Sequence, residues 1–95
     1  METVDHDPIG AYVIAVDGTA TPLARVSGDG AWLKALQTAV GGYVELVAIP
    51  GLPQLCLLAD EDGLSKNLAE NRSASLLAGQ RIVGPAVVLP RALLD

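Results

Sequence analysis

Phenylalanine is missing from this chain of 95 residues, and Trp32, Tyr12 and Tyr43 are its only aromatic side chains. So few rings argue against a stacking platform for single-stranded nucleic acid, which needs several along one groove. Cysteine occurs once, as Cys56, so no internal disulfide or cysteine-zinc cluster can form. Cys56 sits in Leu55-Cys56-Leu57-Leu58, where a thiol behaves as a small buried hydrophobe. Histidine also occurs once, as His6 in the polar N-terminal stretch METVDHDP, so neither a thiol nor a hydroxyl nucleophile has an evident base. Metal ligands at useful spacing are lacking, and Ser27-Gly28-Asp29-Gly30 has neither the lysine nor the spacing of a phosphate loop. No catalytic residue, metal or cofactor is therefore assigned.

Positive charge is scarce as well. Six Lys and Arg face eleven Asp and Glu, a net charge of −5, and such a surface repels phosphate backbones. Duplex nucleic acid is not an expected partner. No apolar run approaches the roughly 20 residues that a membrane helix requires. The N-terminus lacks the basic and apolar regions of a secretory signal. A cytoplasmic protein without a membrane partner is the expectation.

What is present is aliphatic: 51% of residues are hydrophobic, dominated by Leu, Val and Ala, which is enough to bury a core. Ala11-Tyr12-Val13-Ile14-Ala15-Val16 reads as a strand ended by Asp17-Gly18, and Pro22 to Val26 as a short return strand. Pro22 cannot donate to a ladder, which puts that return strand at an edge. Ala31 to Val40 reads as a helix, with Asp29 as N-cap and an apolar stripe of Leu33, Leu36 and Val40 beside Trp32. Lys34 and Gln37 face away, and Gly41 supplies the stop.

Tyr43 to Ile49 and Leu55 to Ala59 then read as a strand pair joined by Pro50-Gly51-Leu52-Pro53. In the first strand Tyr43, Glu45, Val47 and Ile49 share one face, and Val44, Leu46 and Ala48 the other. Both strands are apolar on both faces, as central strands covered on two sides are, by a helix on one face and by a second helix or another copy on the other. Asp60-Glu61-Asp62-Gly63 reads as a solvated acidic turn, without the spacing of a calcium loop. A short helix over Ser73 to Ala78, capped by Gly79, precedes a closing strand, Ala86 to Leu89, behind a Gly84-Pro85 interruption.

The order is strand, strand, helix, strand, strand, short helix, strand. It makes a single small α+β domain with a mostly antiparallel sheet over residues 10–90, a flexible arm over 1–9 and a tail over 91–95.

Leu36-Gln37-Thr38-Ala39-Val40-Gly41-Gly42-Tyr43-Val44-Glu45 resembles a small-domain family of unknown function carried by bacteriophages, plasmids and actinobacterial genomes. Members read L-Q-x-x-V-G-G-Y-I/V-E there. An acidic turn, an N-x-x-A-x-x-L segment and an I-V-G-x-A-x-V-V strand follow. The matching stretches here are Asp60 to Gly63, Asn71 to Leu77 and Ile82 to Val88. The resemblance spans residues 11–89 and departs at Leu64 to Glu70, where members often carry a proline ahead of the asparagine. It implies no reaction. It implies a mobile-element accessory protein of the kind encoded among genes that blunt host defences.

Tyr43 and Glu45, polar residues opening an apolar strand, are the candidate site, with Asn71, Arg72 and Arg81 opposite. In such a groove Tyr43 would stack on a base, Glu45 accept from hydroxyls or amines, and the arginines hold phosphate. Lys66, Arg72 and Arg81 are either a small anion site or three solvated cations. The functional expectation is a non-enzymatic counter-defence protein that sequesters a nucleotide-derived signalling molecule. The alternative is an interaction module that inhibits a host enzyme or self-associates through its sheet, with a host defence protein as the candidate partner. A homo-oligomer fits either, because strands apolar on both faces leave surface to bury.

Overall fold

Aliphatic strands without a polar face need cover on both sides, and the chain supplies it from two helices of unequal size. The computed structural model describes residues 10–94; the expected arm over 1–9, with His6, lies outside them. The strands are β1 (Ala11–Ile14), β2 (Ala20–Leu23), β3 (Val44–Ala48), β4 (Leu55–Asp60) and β5 (Ala86–Pro90). The helices are α1 (Ala31–Val40) and α2 (Arg72–Ala78), and a 3-10 helix over Arg91–Leu94 ends the described chain. All five strands form one antiparallel sheet in the order β2-β1-β5-β4-β3. The element order and the α+β class are those read from the sequence.

Alternation along the strands sends side chains to two cores. Cys56 and Leu58 of β4, with Val87 and Leu89 of β5, meet Trp32, Leu36 and Val40 of α1. Leu57 and Ala59 of β4, with Ala86 of β5 and Val47 of β3, meet Ala74 and Ala78 of α2. The second cover is thus α2, packed through alanines that let it approach closely.

The α1 helix has the expected limits but not the expected details. Gly30, in the left-handed conformation, is the N-cap and makes no side-chain cap bond, so Asp29 is not the cap. The buried stripe is Trp32, Leu36 and Val40, at strict spacing of four, whereas Leu33 is 49% exposed. Trp32 is anchored by its indole: Nε1 donates to Leu93 O at 2.6 Å. That bond draws in the residues set aside as a tail. The 3-10 helix packs Leu93 against the α1 core, and Arg91 donates from N to Gln54 O and from Nε to Pro53 O.

The β2 strand is shifted to Ala20–Leu23 and lies at one edge of the sheet, as Pro22 requires. Ala15 N donates to Thr19 O, so the register from Ile14↔Ala20 puts Pro22 at a position whose missing N–H would face solvent. Ahead of β5, Val83 bridges Glu70 and the chain bends at Gly84-Pro85, the interruption expected there.

Asn71 joins these parts. It is the N-cap of α2 and is fully buried. Its Oδ1 accepts from Ala74 N, and its Nδ2 donates to Ile14 O and to Gly84 O, both at 2.9 Å. Both amide hydrogens are used on main-chain carbonyls. Truncation would strand two buried acceptors and one donor, each costing about 1–3 kcal/mol. Asn71→Ala is expected to lower unfolding free energy by at least about 3 kcal/mol on that basis in a urea titration. Asn71→Asp, the same shape without the donors, should destabilise at least as much, whereas Arg72→Ala at the neighbouring exposed position should shift the midpoint little.

Candidate functional site

Sheet parity decides where the Tyr43-Val44-Glu45 opening of β3 points. Val44 packs with the α1 core and Val47 with the α2 core, so Glu45 lies on the α2 side. Register pairs Glu45 with Ala59, and Glu61 N donates to Tyr43 O at 2.9 Å, which carries the ladder one step past the strand ends. Tyr43 and Glu61 are thereby neighbours beside Glu45 and Ala59. Across from them runs the segment leading to β5, and a cleft of about 70 Å³ lies between, lined by Glu45, Glu61, Leu64, Arg81, Ile82 and Val83 among others.

Of the five residues read as a site, the structure brings Glu45 and Arg81 to this cleft. Tyr43 stands at its rim by register, 67% exposed. Arg72, the first residue of α2, is exposed and does not line it. Asn71 does not face a groove at all: its amide is spent inside the fold, so its expected ligand contact is replaced by a structural role. Sequence reading missed Glu61 and Leu64. The signal for Leu64 is a large aliphatic in an otherwise polar turn, and it is 68% exposed.

The acidic turn is exposed at Glu61 and Asp62, as expected, but not at its first residue. Asp60, ending β4, is buried; its Oδ1 accepts from Asp62 N, and Lys66 Nζ donates to its Oδ2 at 2.6 Å. The same ammonium donates to Gly41 O, the carbonyl at the end of α1. Lys66 is therefore committed to a clamp between helix, strand and turn, and takes no part in an anion site. The hydrogen bond from Lys66 holds the Asp60 carboxyl below its ordinary range, against the opposing effect of burial.

This clamp explains the second glycine of the pair. Gly41, with φ of 89°, is the left-handed stop of α1, its N–H bonded to Gln37 O. A Cβ on Gly42 would lie 2.8 Å from Lys66 Nζ and 2.9 Å from Asp60 Oδ1. The clamp needs that space.

Other groups lie away from this cleft. Cys56 is buried on the α1 side of β4, and burial pushes its thiol upward, away from the thiolate. At the far end of the sheet, clefts of about 390 Å³ and 240 Å³ flank Arg25, whose guanidinium lies 5.9 Å from the centre of the Trp32 ring. Among the described residues no group of His, Cys, Asp and Glu could hold a metal ion, and no helix is long and apolar enough to cross a membrane.

Two outcomes follow from the clamp. Gly42→Ala should destabilise by about 1–3 kcal/mol, as overpacking does, and by less in a Lys66→Ala background. Asp60 titrates lower in the fold than in the unfolded chain, so its stabilisation is present above about pH 4, the unfolded value, and fades as pH falls through the lower folded value. Thermal melts of the native chain should therefore drop below pH 4 more steeply than those of Lys66→Met.

No curated protein and no solved structure matches the chain. A family model matches it over residues 9–92, nearly its whole length and all but the end of the described fold. The chain belongs to the DUF3846 family, a domain of unknown function.

Proposed function

We propose that this domain is a non-enzymatic interaction module that engages a protein partner through the end of its sheet. The surface comprises Tyr43, Glu45, Glu61, Leu64 and Arg81. The observation that carries this reading is the combination of a shallow cleft with two large exposed side chains. Tyr43 and Leu64 stand 67% and 68% exposed beside it. Tyrosine and arginine at the centre of a patch are the residues that anchor protein contacts, and mixed charge at the rim sets orientation. A space of about 70 Å³ is well under the roughly 300 Å³ at which small-molecule sites begin. A space of that size favours a side-chain contact over the nucleotide expected between Tyr43, Glu45 and the arginines. With the only thiol sealed in the core, the domain acts by occupying a surface. The setting proposed for it is that of a mobile-element accessory protein that blunts a host defence, on the strength of the motif resemblance.

A second reading keeps the nucleotide-derived ligand but moves it. The cleft of about 390 Å³ beside Tyr12 and Arg25 reaches the size range of ligand sites, and its lining is largely apolar.

Both readings are tested in one set of proteins. A photo-crosslinking amino acid at position 43, in the bacterial host, should give one discrete adduct with a protein other than the chain itself, and this adduct should weaken at least tenfold with Arg81→Glu. The same label at Leu76, exposed on α2, should give none. Calorimetry with a cyclic dinucleotide, cyclic ADP-ribose and ADP-ribose should give no saturable heat. Saturable heat abolished by Tyr12→Ala would establish the second reading. Absence of a position-specific adduct would sink the first.

A further inference from the structure

The two edges of the sheet are not alike. β2 is short and carries Pro22, whose ring occupies the outward amide position. β3, at the other edge, has five residues, no proline and no lysine. The bond from Glu61 N to Tyr43 O fixes which β3 groups point inward: those of Tyr43, Glu45 and Val47 face β4. The N–H and C=O groups of Val44, Leu46 and Ala48 therefore point out of the sheet, three donors and three acceptors in a row. On the α1 side of the same strand, Leu46 is 48% exposed and Ala48 is exposed, because α1 covers β3 only at Val44.

We infer that a second copy of this chain docks on that edge, β3 against β3, in an antiparallel pair centred on Leu46. An antiparallel pair of identical strands is self-complementary, as a two-fold interface must be. The centre follows from the strand itself. With Leu46 opposite Leu46 of the partner subunit, Val44 faces the partner's Ala48 and Glu45 faces the partner's Val47. All the outward groups then pair, giving six main-chain hydrogen bonds. Centring on Glu45 would set like charges opposite each other and turn the wrong main-chain groups together. Centring two residues later would bring Pro50, which has no N–H, into the ladder opposite the partner's Leu46.

At the chosen centre the two Leu46 side chains lie side by side, about 5.5 Å between Cα atoms, and cover one another where α1 does not. The result is a continuous ten-stranded sheet. Because the axis stands perpendicular to it, both Tyr43 surfaces face the same side. They lie about 20 Å apart along the strand direction, at roughly 3.4 Å per residue. The inference deepens the proposed partner-binding role by making it two-handed, and rests on that reading for its use, though not for its test.

The test needs only the purified chain. Light scattering at concentrations up to about 100 μM should give twice the 9.8 kDa chain mass. Leu46→Arg, which sets two cations on the axis, should weaken the dimer by tenfold or more, with an unchanged circular dichroism spectrum. Thr21→Arg on the β2 edge should leave the mass alone. Independently, Leu46→Cys should form a disulfide-linked dimer under mild oxidation at least tenfold faster than Thr21→Cys, since directly opposite Cα atoms at that spacing suit a disulfide and Cys56 is buried. A monomer across the range would overturn the inference, as it would if the edge instead took a strand from a different protein. A dimer indifferent to Leu46→Arg, or equal oxidation of the two cysteine variants, would overturn it too. In this pairing Tyr43 lies opposite the partner's Ile49, so an adduct of twice the chain mass from position 43 belongs to the dimer. Only an adduct with a different protein belongs to the proposed surface, and loss of the latter would leave the dimer standing.

Discussion

The side-chain amide of Asn71 is the constraint on which the second face of this sheet depends. α2 has only seven residues, too few to be helical by itself in water. Its N-terminal amides need an acceptor, and its position over the sheet needs fixing. Asn71 does both, capping through Oδ1 and donating through Nδ2 to Ile14 in β1 and Gly84 ahead of β5. Its own main chain joins in: Asn71 N donates to Ile82 O, and Ser75 N and Oγ donate to Asn71 O. Ser75 Oγ then accepts from Ile82 N, so the strand approach, the cap and the first turn of α2 form one polar cluster inside an aliphatic domain. Such clusters hold one geometry because a shift of any member leaves buried groups unpaired.

How far the sequence could be read follows from the range of each interaction. α1 was legible from Ala31 to Val40 because a periodic apolar stripe and a terminal glycine are local signals. The face of its first turn was not. Leu33 and Trp32 fit a stripe almost equally well, and the choice falls to the bond from Trp32 to Leu93, 61 positions away. Asn71 is the same case. It reads as a site residue, and what removes it from any ligand site is a pair of carbonyls 57 and 13 positions distant. Asp60 and Lys66 look like ordinary turn residues until α1 brings Gly41 O to the same ammonium. Glu45 and Arg81 did come together, since strand parity places one and the bend before β5 the other.

The polar opening of β3 has a geometric origin. At about 1.5 Å per residue, α2 spans roughly 10 Å. β4, with six residues at about 3.4 Å each, runs nearly twice as far. One short helix cannot cover that length, so part of the α2 face must be closed by something else. There the chain places the strap around Arg81 to Val83 and the turn around Leu64, and between them they leave only a shallow cleft. Glu45 occupies the strand position that faces this gap, where a carboxylate keeps access to water instead of paying to be buried. Val47, two residues on, falls under α2 and is apolar.

The same shortfall appears on the α1 side, at the outer strand. α1 ends at Val40 and reaches β3 only through Val44, so Leu46 and Ala48 have no helix above them. A longer helix would have hidden both; a lysine or proline in β3 would have closed the edge, as Pro22 closes β2. Neither is present. Glu45 is the one charge on β3, and it points to the α2 side, beside an open main-chain edge. It therefore rejects some registers of pairing without blocking the edge itself. An edge that is permissive to pairing and selective in register is the condition for a defined assembly in place of open-ended aggregation. In this fold that condition is met by two helices too short for the sheet they cover.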